Sequence, residues 1–180
     1  DISLMSGNNV GQALVKAGHI VTYFDPAAGM HNLSDALKGI DVVFPILHGT
    51  GGEDGHIQSL LEREGAVFVG SNSEVSRACF DKWQTIQKAK HIRFPETELV
   101  SKASISKSNL IANPFVVKPR AEGSSVDTFI VHDVKLFDIA KLDPIFDKYN
   151  DELLLEEFID GQELTVGVLG DIALPVVEII

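Results

Sequence analysis

The segment DVVFPILHGTGGEDGHIQSLLEREGAVFV, Asp41–Val69, decides how the first half of this chain folds. Its core, Val42-Val43-Phe44, is the apolar, β-branched run that a buried parallel strand requires, because helices cover both faces of such a sheet. A glycine-rich loop, His48 to Gly55, follows at once. Ile57, Leu60 and Leu61 then recur at helical spacing, Gly65 supplies a C-terminal stop, and Ala66–Val69 forms a second short apolar strand. Strand, loop, helix and strand in this order predict a parallel α/β sheet. Sheets of that kind place ligands at the carboxyl ends of strands, where His48 stands.

Upstream, Val10, Ala13, Leu14 and Ala17 fall on one helical face, Gly18 stops the helix, and His19–Phe24 is an apolar strand pattern. A short helix is expected around Ser34–Lys38. Downstream, Ser73–Lys90 is helical and re-capped near Asp81, and Pro95 ends the run. The polar stretch Ser101–Asn109 reads as an exposed connection. Beyond it the pattern turns strand-rich: Phe115–Lys118 and Thr128–Val131 flank a Gly-Ser-Ser loop, and a helix lies near Lys135–Tyr149. Strands follow at Glu152–Phe158 and Glu163–Leu169, with Asp160-Gly161 as a hairpin signal between them. The expected organisation is an N-terminal α/β domain, 1–75, then an α+β region, 76–180, with an antiparallel sheet. Asp1 is not an initiator methionine and Ala173–Ile180 reads as a strand that simply stops, so the chain reads as a fragment.

The hydrophobic fraction of 44% and charged fraction of 23% are those of a globular protein. A formal charge of −11 without a Lys/Arg cluster argues against general binding to nucleic acid or anionic membranes. Binding of an anion such as ATP then needs local cations, for which Lys82, Lys118 and Arg120 are the candidates. The lone Cys79 permits no intrachain disulfide, points to a reducing compartment with the cytoplasm as the default, and reads as a buried thiol in an apolar helix. No apolar run is long enough for a membrane span.

Several segments carry candidate chemistry. The strand Pro114–Val117 delivers Lys118 to Pro119-Arg120-Ala121-Glu122-Gly123-Ser124-Ser125-Val126. A nucleotide phosphate suits that loop: the lysine gives positive charge, Gly123 permits close backbone approach, and the serines add donors. The lysine precedes the glycine, unlike a Walker loop, and a plain strand followed by a surface turn gives the same pattern. His48 suits either a substrate carboxylate or phosphate, or a simple turn cap. Glu53 and Asp54 suit helix capping. Lys82, a cation at a helix start, hints at an anionic partner, although an exposed lysine needs none. Glu156, Glu157 and Glu163 could accept hydrogen bonds from an adenine amino group or ribose hydroxyls, contribute to an Mg²⁺ site, or be solvated edge charges.

Together these segments resemble the D-alanine–D-alanine ligases of the ATP-grasp superfamily, in order and over nearly the whole chain. Asp1-Ile2-Ser3-Leu4-Met5-Ser6-Gly7 is similar to the tail of the family's first-loop motif, and His48 through Gln58 to its N-domain signature. Val69-Gly70-Ser71 and Asp81-Lys82 resemble the entry to the ATP-binding domain. Val117-Lys118-Pro119 with Glu122–Val126 is similar to the phosphate-covering loop, and Glu156–Val166 to the nucleotide hinge and the strand after it.

The resemblance implies a pre-ATP-grasp, Rossmann-like α/β domain followed by part of an ATP-grasp domain. It implies ATP and Mg²⁺ as cofactors, D-alanine as substrate, and a homodimer as one possible assembly. Lys82 and Lys118 would contact ATP phosphates beneath Glu122 and Ser125, and Glu163 the ribose. Glu156, with backbone groups around Glu157 and Ile159, would hold the adenine edge. Ser124 would orient substrate, and His48 would lie near the first D-alanine. The metal ligands of the family have no counterpart in this chain, so turnover by the chain alone is not expected. Asp127 stands where the family usually has glycine, and its side chain is expected to face outward. Two alternatives accompany this reading: a ligase using another acceptor such as D-lactate, and a non-catalytic ATP-site scaffold.

Overall fold

The computed structural model describes residues 2–180; Asp1, the first residue of the segment similar to the tail of the first-loop motif, lies outside the described residues. Two compact units divide the chain. The first is built from residues up to Arg93 together with Lys118–Asp127, and the second from Phe94–Val117 and Thr128–Ile180. Among the described residues no helix is long and apolar enough to cross a membrane.

In the first unit, helix α1 spans Ile2–Lys16. It carries a glycine at position 11 because the Tyr23 ring packs there: a Cβ on Gly11 would fall 2.1 Å from the Tyr23 hydroxyl oxygen. The helix stops as expected at Gly18, with φ of 93°, where the His19 amide donates to Leu14 O. Helices α2 (Leu33–Ala36) and α3 (His56–Arg63) follow. Leu33, Ile57 and Leu61 form their buried centre, joined by Phe24, Met30, Val43 and Phe68. Parallel pairing is present but brief. Val43 N donates to Val67 O at 2.8 Å and Val69 N to Val43 O at 2.9 Å, giving one bridge between Val43 and Phe68. The expected strand at His19–Phe24 forms no ladder among the described residues, and Ile20 is fully exposed. β-Branched composition gives that segment a propensity, but a strand exists only where a neighbour supplies hydrogen-bond partners. Helix α4 (Ser73–Phe80) is capped by the Asn72 side chain on the Val75 amide. Its inward residue is Ala78, so Cys79 on the next position is exposed rather than buried. Helix α5 (Lys82–Lys88) starts at the expected cap, Asp81.

In the second unit, β1 (Thr97–Val100), β2 (Phe115–Lys118), β3 (Phe129–Val131) and β4 (Leu153–Glu157) form one sheet in the order β1-β4-β2-β3. β1 pairs antiparallel with β4, Val100 opposite Leu153, and β2 with β3, Phe115 opposite Val131. Leu153, Leu154 and Leu155 are all fully buried, which is why β4 reads as an unbroken apolar triplet rather than an alternation. Phe146 of α7 (Asp143–Lys148) and Leu142 complete the core, and Phe137 meets Phe115 edge-on at 5.7 Å. The Ser101–Asn109 stretch is not a bare connection. It holds α6 (Lys102–Ile105), closed by a Ser101/Ser104 capping box, with Ile105 buried in the core.

The Asp160-Gly161 turn does not make a hairpin. β4 lies between β1 and β2, so both of its edges are occupied. β5 (Glu163–Thr165) instead pairs with β8 (Val177–Ile179). The tight hairpin joins β6 (Val168–Leu169) to β7 (Ile172–Ala173) through Gly170-Asp171, with Gly170 at φ 59°. Pro175, which lacks an amide proton, falls in the break between β7 and β8, so Ala173–Ile180 is not one strand.

This core makes a stability prediction. Phe146→Ala empties a fully buried position and is expected to lower unfolding free energy by about 3–5 kcal/mol in urea titrations. Ile130→Ala, on the exposed face of β3, is expected to stay within about 0.5 kcal/mol of wild type.

Candidate active site

The loop from His48 to Gly55 folds on its own side chains. Glu53 accepts the Gly49 amide at 2.7 Å, and Asp54 accepts the Gly51 amide at 2.9 Å and the His56 amide at 3.0 Å. Asp54 therefore serves the start of α3 as expected, while Glu53 closes the loop. Gly55 takes φ of 84°, and a Cβ there would lie 2.3 Å from Ser73 O, so only glycine fits. Beneath the loop Gln58 is buried, and its amide donates to Gly52 O at 2.8 Å. The carbonyl oxygen of Gln58 has no hydrogen-bond partner among the described residues.

His48 stands exposed at the head of this loop. Its Nε2 is 3.1 Å from Ser6 Oγ, and its backbone amide donates to Ser3 Oγ at 3.2 Å. Sequence reasoning named the histidine and not the serines as its supports. The available signal was their spacing: Ser3 and Ser6 are three apart and share one face of α1.

The second group of candidates gathers in the same unit. Lys118 ends β2 half-buried, and the chain then runs through Arg120 and Glu122 to Ser124 and Ser125. Ser124, Ser125 and Asp127 all adopt left-handed backbone, at φ 49°, 56° and 52°. Such angles favour glycine, and Asp, with its short polar side chain, tolerates them better than most residues. Asp127 is half-buried. The Lys82 ammonium donates to Glu122 O, and the Lys82 amide donates to Arg120 O at 2.9 Å. Lys82 is thus joined to the loop that holds Ser124 and Ser125.

Arg120, a candidate phosphate cation by sequence, grips a carboxylate instead. Its Nε lies 2.9 and 2.8 Å from the two Asp81 oxygens and its Nη2 2.8 Å from Oδ2. Burial opposes ionisation of Asp81, but hydrogen bonds from Arg120 and from the Gln84 amide and side chain outweigh it. The carboxyl is held below the usual carboxylate range. Sequence reasoning missed this pair because it joins positions far apart in the chain.

In the second unit β4 delivers Glu156 and Glu157 to opposite faces. Glu156 is 8% exposed, whereas Glu157 is exposed and accepts the Glu96 amide at 3.2 Å. Glu157 lines a hollow of about 520 Å³ with Glu96, Asn113, His132, Phe158 and Asp160. His132 stacks edge-on against Phe158 at 4.6 Å. Ile159 is exposed just after the strand, and Glu163 begins β5, also exposed. Among the described residues no three His, Cys, Asp or Glu side chains are grouped to hold a metal ion.

Comparison with known proteins matches this arrangement over both halves. Residues 22–71 match the family model described as the D-ala D-ala ligase N-terminus, and residues 80–180 that of the D-ala D-ala ligase C-terminus. The D-alanine–D-alanine ligase of Thermotoga maritima is 37% identical over 184 residues, covering 99% of this chain and 59% of the relative. That of Pseudothermotoga lettingae is 39% identical over 170 residues, covering 93% and 56%. The crystal structure of the Bacillus anthracis ligase complexed with ATP superposes with a TM-score of 0.81 at 29% identity, covering 98% of this chain and 60% of that one. The chain thus spans roughly three-fifths of these relatives. Its fold is that of an ATP-grasp ligase. The chain belongs to the D-alanine–D-alanine ligase family.

The Asp81 pair carries a pH prediction. A carboxyl that titrates lower when folded contributes stability in full above its unfolded value of about 3.9, and loses it as pH falls through the folded value. Asp81→Asn keeps the helix cap and is expected to cost about 1–2 kcal/mol at pH 7. The gap to wild type should narrow in urea titrations as pH falls below about 3.9.

Proposed function

We propose that this chain supplies the first-substrate and nucleotide-binding residues of an enzyme that joins two D-alanines at the expense of ATP, for peptidoglycan precursor synthesis. The observation that carries this reading is the joining of Lys82 to the Glu122–Val126 loop: its ammonium donates to Glu122 O, at the start of the segment that holds Ser124 and Ser125 in left-handed backbone. Family membership supports it, and so does the Bacillus anthracis relative, whose structure was determined with ATP.

In the proposed reaction a D-alanine carboxylate oxygen attacks the γ-phosphorus of ATP, and the bond to the β-phosphate oxygen breaks to release ADP. The amine of a second D-alanine then attacks the acyl carbon. Phosphate leaves with the C–O electron pair, and the nitrogen gives up a proton as the peptide bond forms. Two anions must approach each other in the first step, so cations and directed donors are the chief requirement. Lys82 and Lys118 take the phosphates, with Glu122 and Ser125 in the loop above them. Glu156 accepts the adenine amino group, backbone groups at Glu157 and Ile159 hold the rest of that edge, and Glu163 binds the ribose. Ser124 orients substrate, and His48, held by Ser6, stands near the first D-alanine and its acyl phosphate. Among the described residues the acidic side chains form no metal cluster, so this chain's own residues do not make an Mg²⁺ site.

Trp83, the only tryptophan, is adjacent to Lys82 in the sequence, so its fluorescence is the readout chosen for nucleotide binding. Lys82→Ala and Lys118→Ala are each expected to weaken ATP binding about tenfold or more, as loss of a charge-assisted contact does. Asp127→Gly should leave affinity within about threefold, because glycine accepts the same backbone angles. Wild-type affinity for ATP that both lysine variants retain would overturn the phosphate assignment.

A further inference from the structure

We propose that Asp81 and Arg120 are positioning residues that clasp the Gly123–Asp127 loop to the first turn of α5, so that Lys82 and the loop meet a nucleoside polyphosphate as one preformed surface. The proposal rests on the nucleotide reading above and assigns its preorganisation to a pair that touches no phosphate.

Three contacts lie side by side. The Arg120 guanidinium takes both Asp81 oxygens at 2.8–2.9 Å, the Lys82 amide donates to Arg120 O at 2.9 Å, and the Lys82 ammonium donates to Glu122 O. Two consecutive residues of one segment thus hold Arg120 and Glu122 of the other. The ion pair is sheltered, with side-chain exposures of 30% for Arg120 and 13% for Asp81, so water screens it less than a surface pair. What the clasp restrains is costly to order. Immediately beyond Glu122, Ser124, Ser125 and Asp127 sit in left-handed backbone, which L side chains avoid and which persists where the surroundings impose it. A loop released from its anchor spreads over other conformations, and a ligand needing this one binds more weakly by the fraction lost.

The geometry also separates this role from a direct one. Arg120 directs Nε and Nη2 at a carboxylate that shares its charge. If Arg120 bound phosphate itself, removing the Asp81 charge would free the guanidinium and strengthen binding. If it acts as a clasp, removing either partner weakens binding.

The test uses Asp81→Asn, which keeps the helix cap, and Arg120→Gln, alone and combined, on the full chain. Hydrogen exchange without nucleotide is expected to accelerate at the Lys82 amide and across residues 123–127 in each variant. ATP affinity, followed by Trp83 fluorescence, is expected to fall about tenfold in each single variant and little further in the double, since both remove one interaction. Adenosine, which has no phosphates, should bind every variant alike. Arg120→Lys, which keeps the charge but loses the two-pronged grip, should fall with Arg120→Gln, and it stands in for any variant that does not fold. Unchanged exchange in the loop would overturn the clasp, as would tighter ATP binding by Asp81→Asn. A wild-type chain that binds no ATP would overturn the nucleotide reading, while the exchange arm would still decide whether the clasp exists.

Discussion

Burial of β4 on both faces and along both edges is the constraint from which the second unit follows. Leu153, Leu154 and Leu155 have no exposed surface, and β1 and β2 occupy the two hydrogen-bonding edges. A strand so enclosed cannot take a further partner. The chain must therefore leave the sheet after Glu157, and the residues that follow pair among themselves as β5 with β8 and β6 with β7. The same enclosure leaves Glu156, near the strand end, with only 8% of its surface exposed, so it is not a solvated edge charge.

In the first unit, beside the apolar centre at Leu33, Ile57 and Leu61, charged and polar contacts hold the loops in place. Asp81 performs two tasks with one carboxylate: it accepts the Gln84 amide at the head of α5 and receives the Arg120 guanidinium. Each task favours the ionised form, and together they overcome the burial that opposes it. The chain enters this unit a second time only for Lys118–Asp127, and the Asp81–Arg120 and Lys82–Glu122 contacts hold that return. The glycine-rich loop after His48 is built on the same economy, with Glu53 and Asp54 turned back onto the amides of Gly49, Gly51 and His56.

Much of this was legible in the sequence where the signal is local. Gly18 as a helix stop, Asp81 as a cap, the strands on either side of Gly123-Ser124-Ser125 and the helix that buries Ile57 and Leu61 all depend on residues within a few positions of one another. The errors arose where a local pattern needed a distant partner. His19–Phe24 has strand composition without a ladder, and Asp160-Gly161 has hairpin chemistry beside a strand whose edges are already filled. Cys79 shares a helix with inward-facing Ala78, and one position along a helix turns the side chain by about 100°, out of the core.

The sequence by itself determined the chemical repertoire: lysines beside a flexible serine-rich loop, a histidine at a strand end, and carboxylates after an apolar strand. These follow from residue type and short-range order. Only the tertiary structure decided which partner a given charge takes within the fold. Arg120 and Lys118 are equivalent cations in the sequence, yet Arg120 is committed to a carboxylate thirty-nine positions away. Coulomb attraction and burial act through space, and the separation they depend on is not encoded in any one stretch of chain.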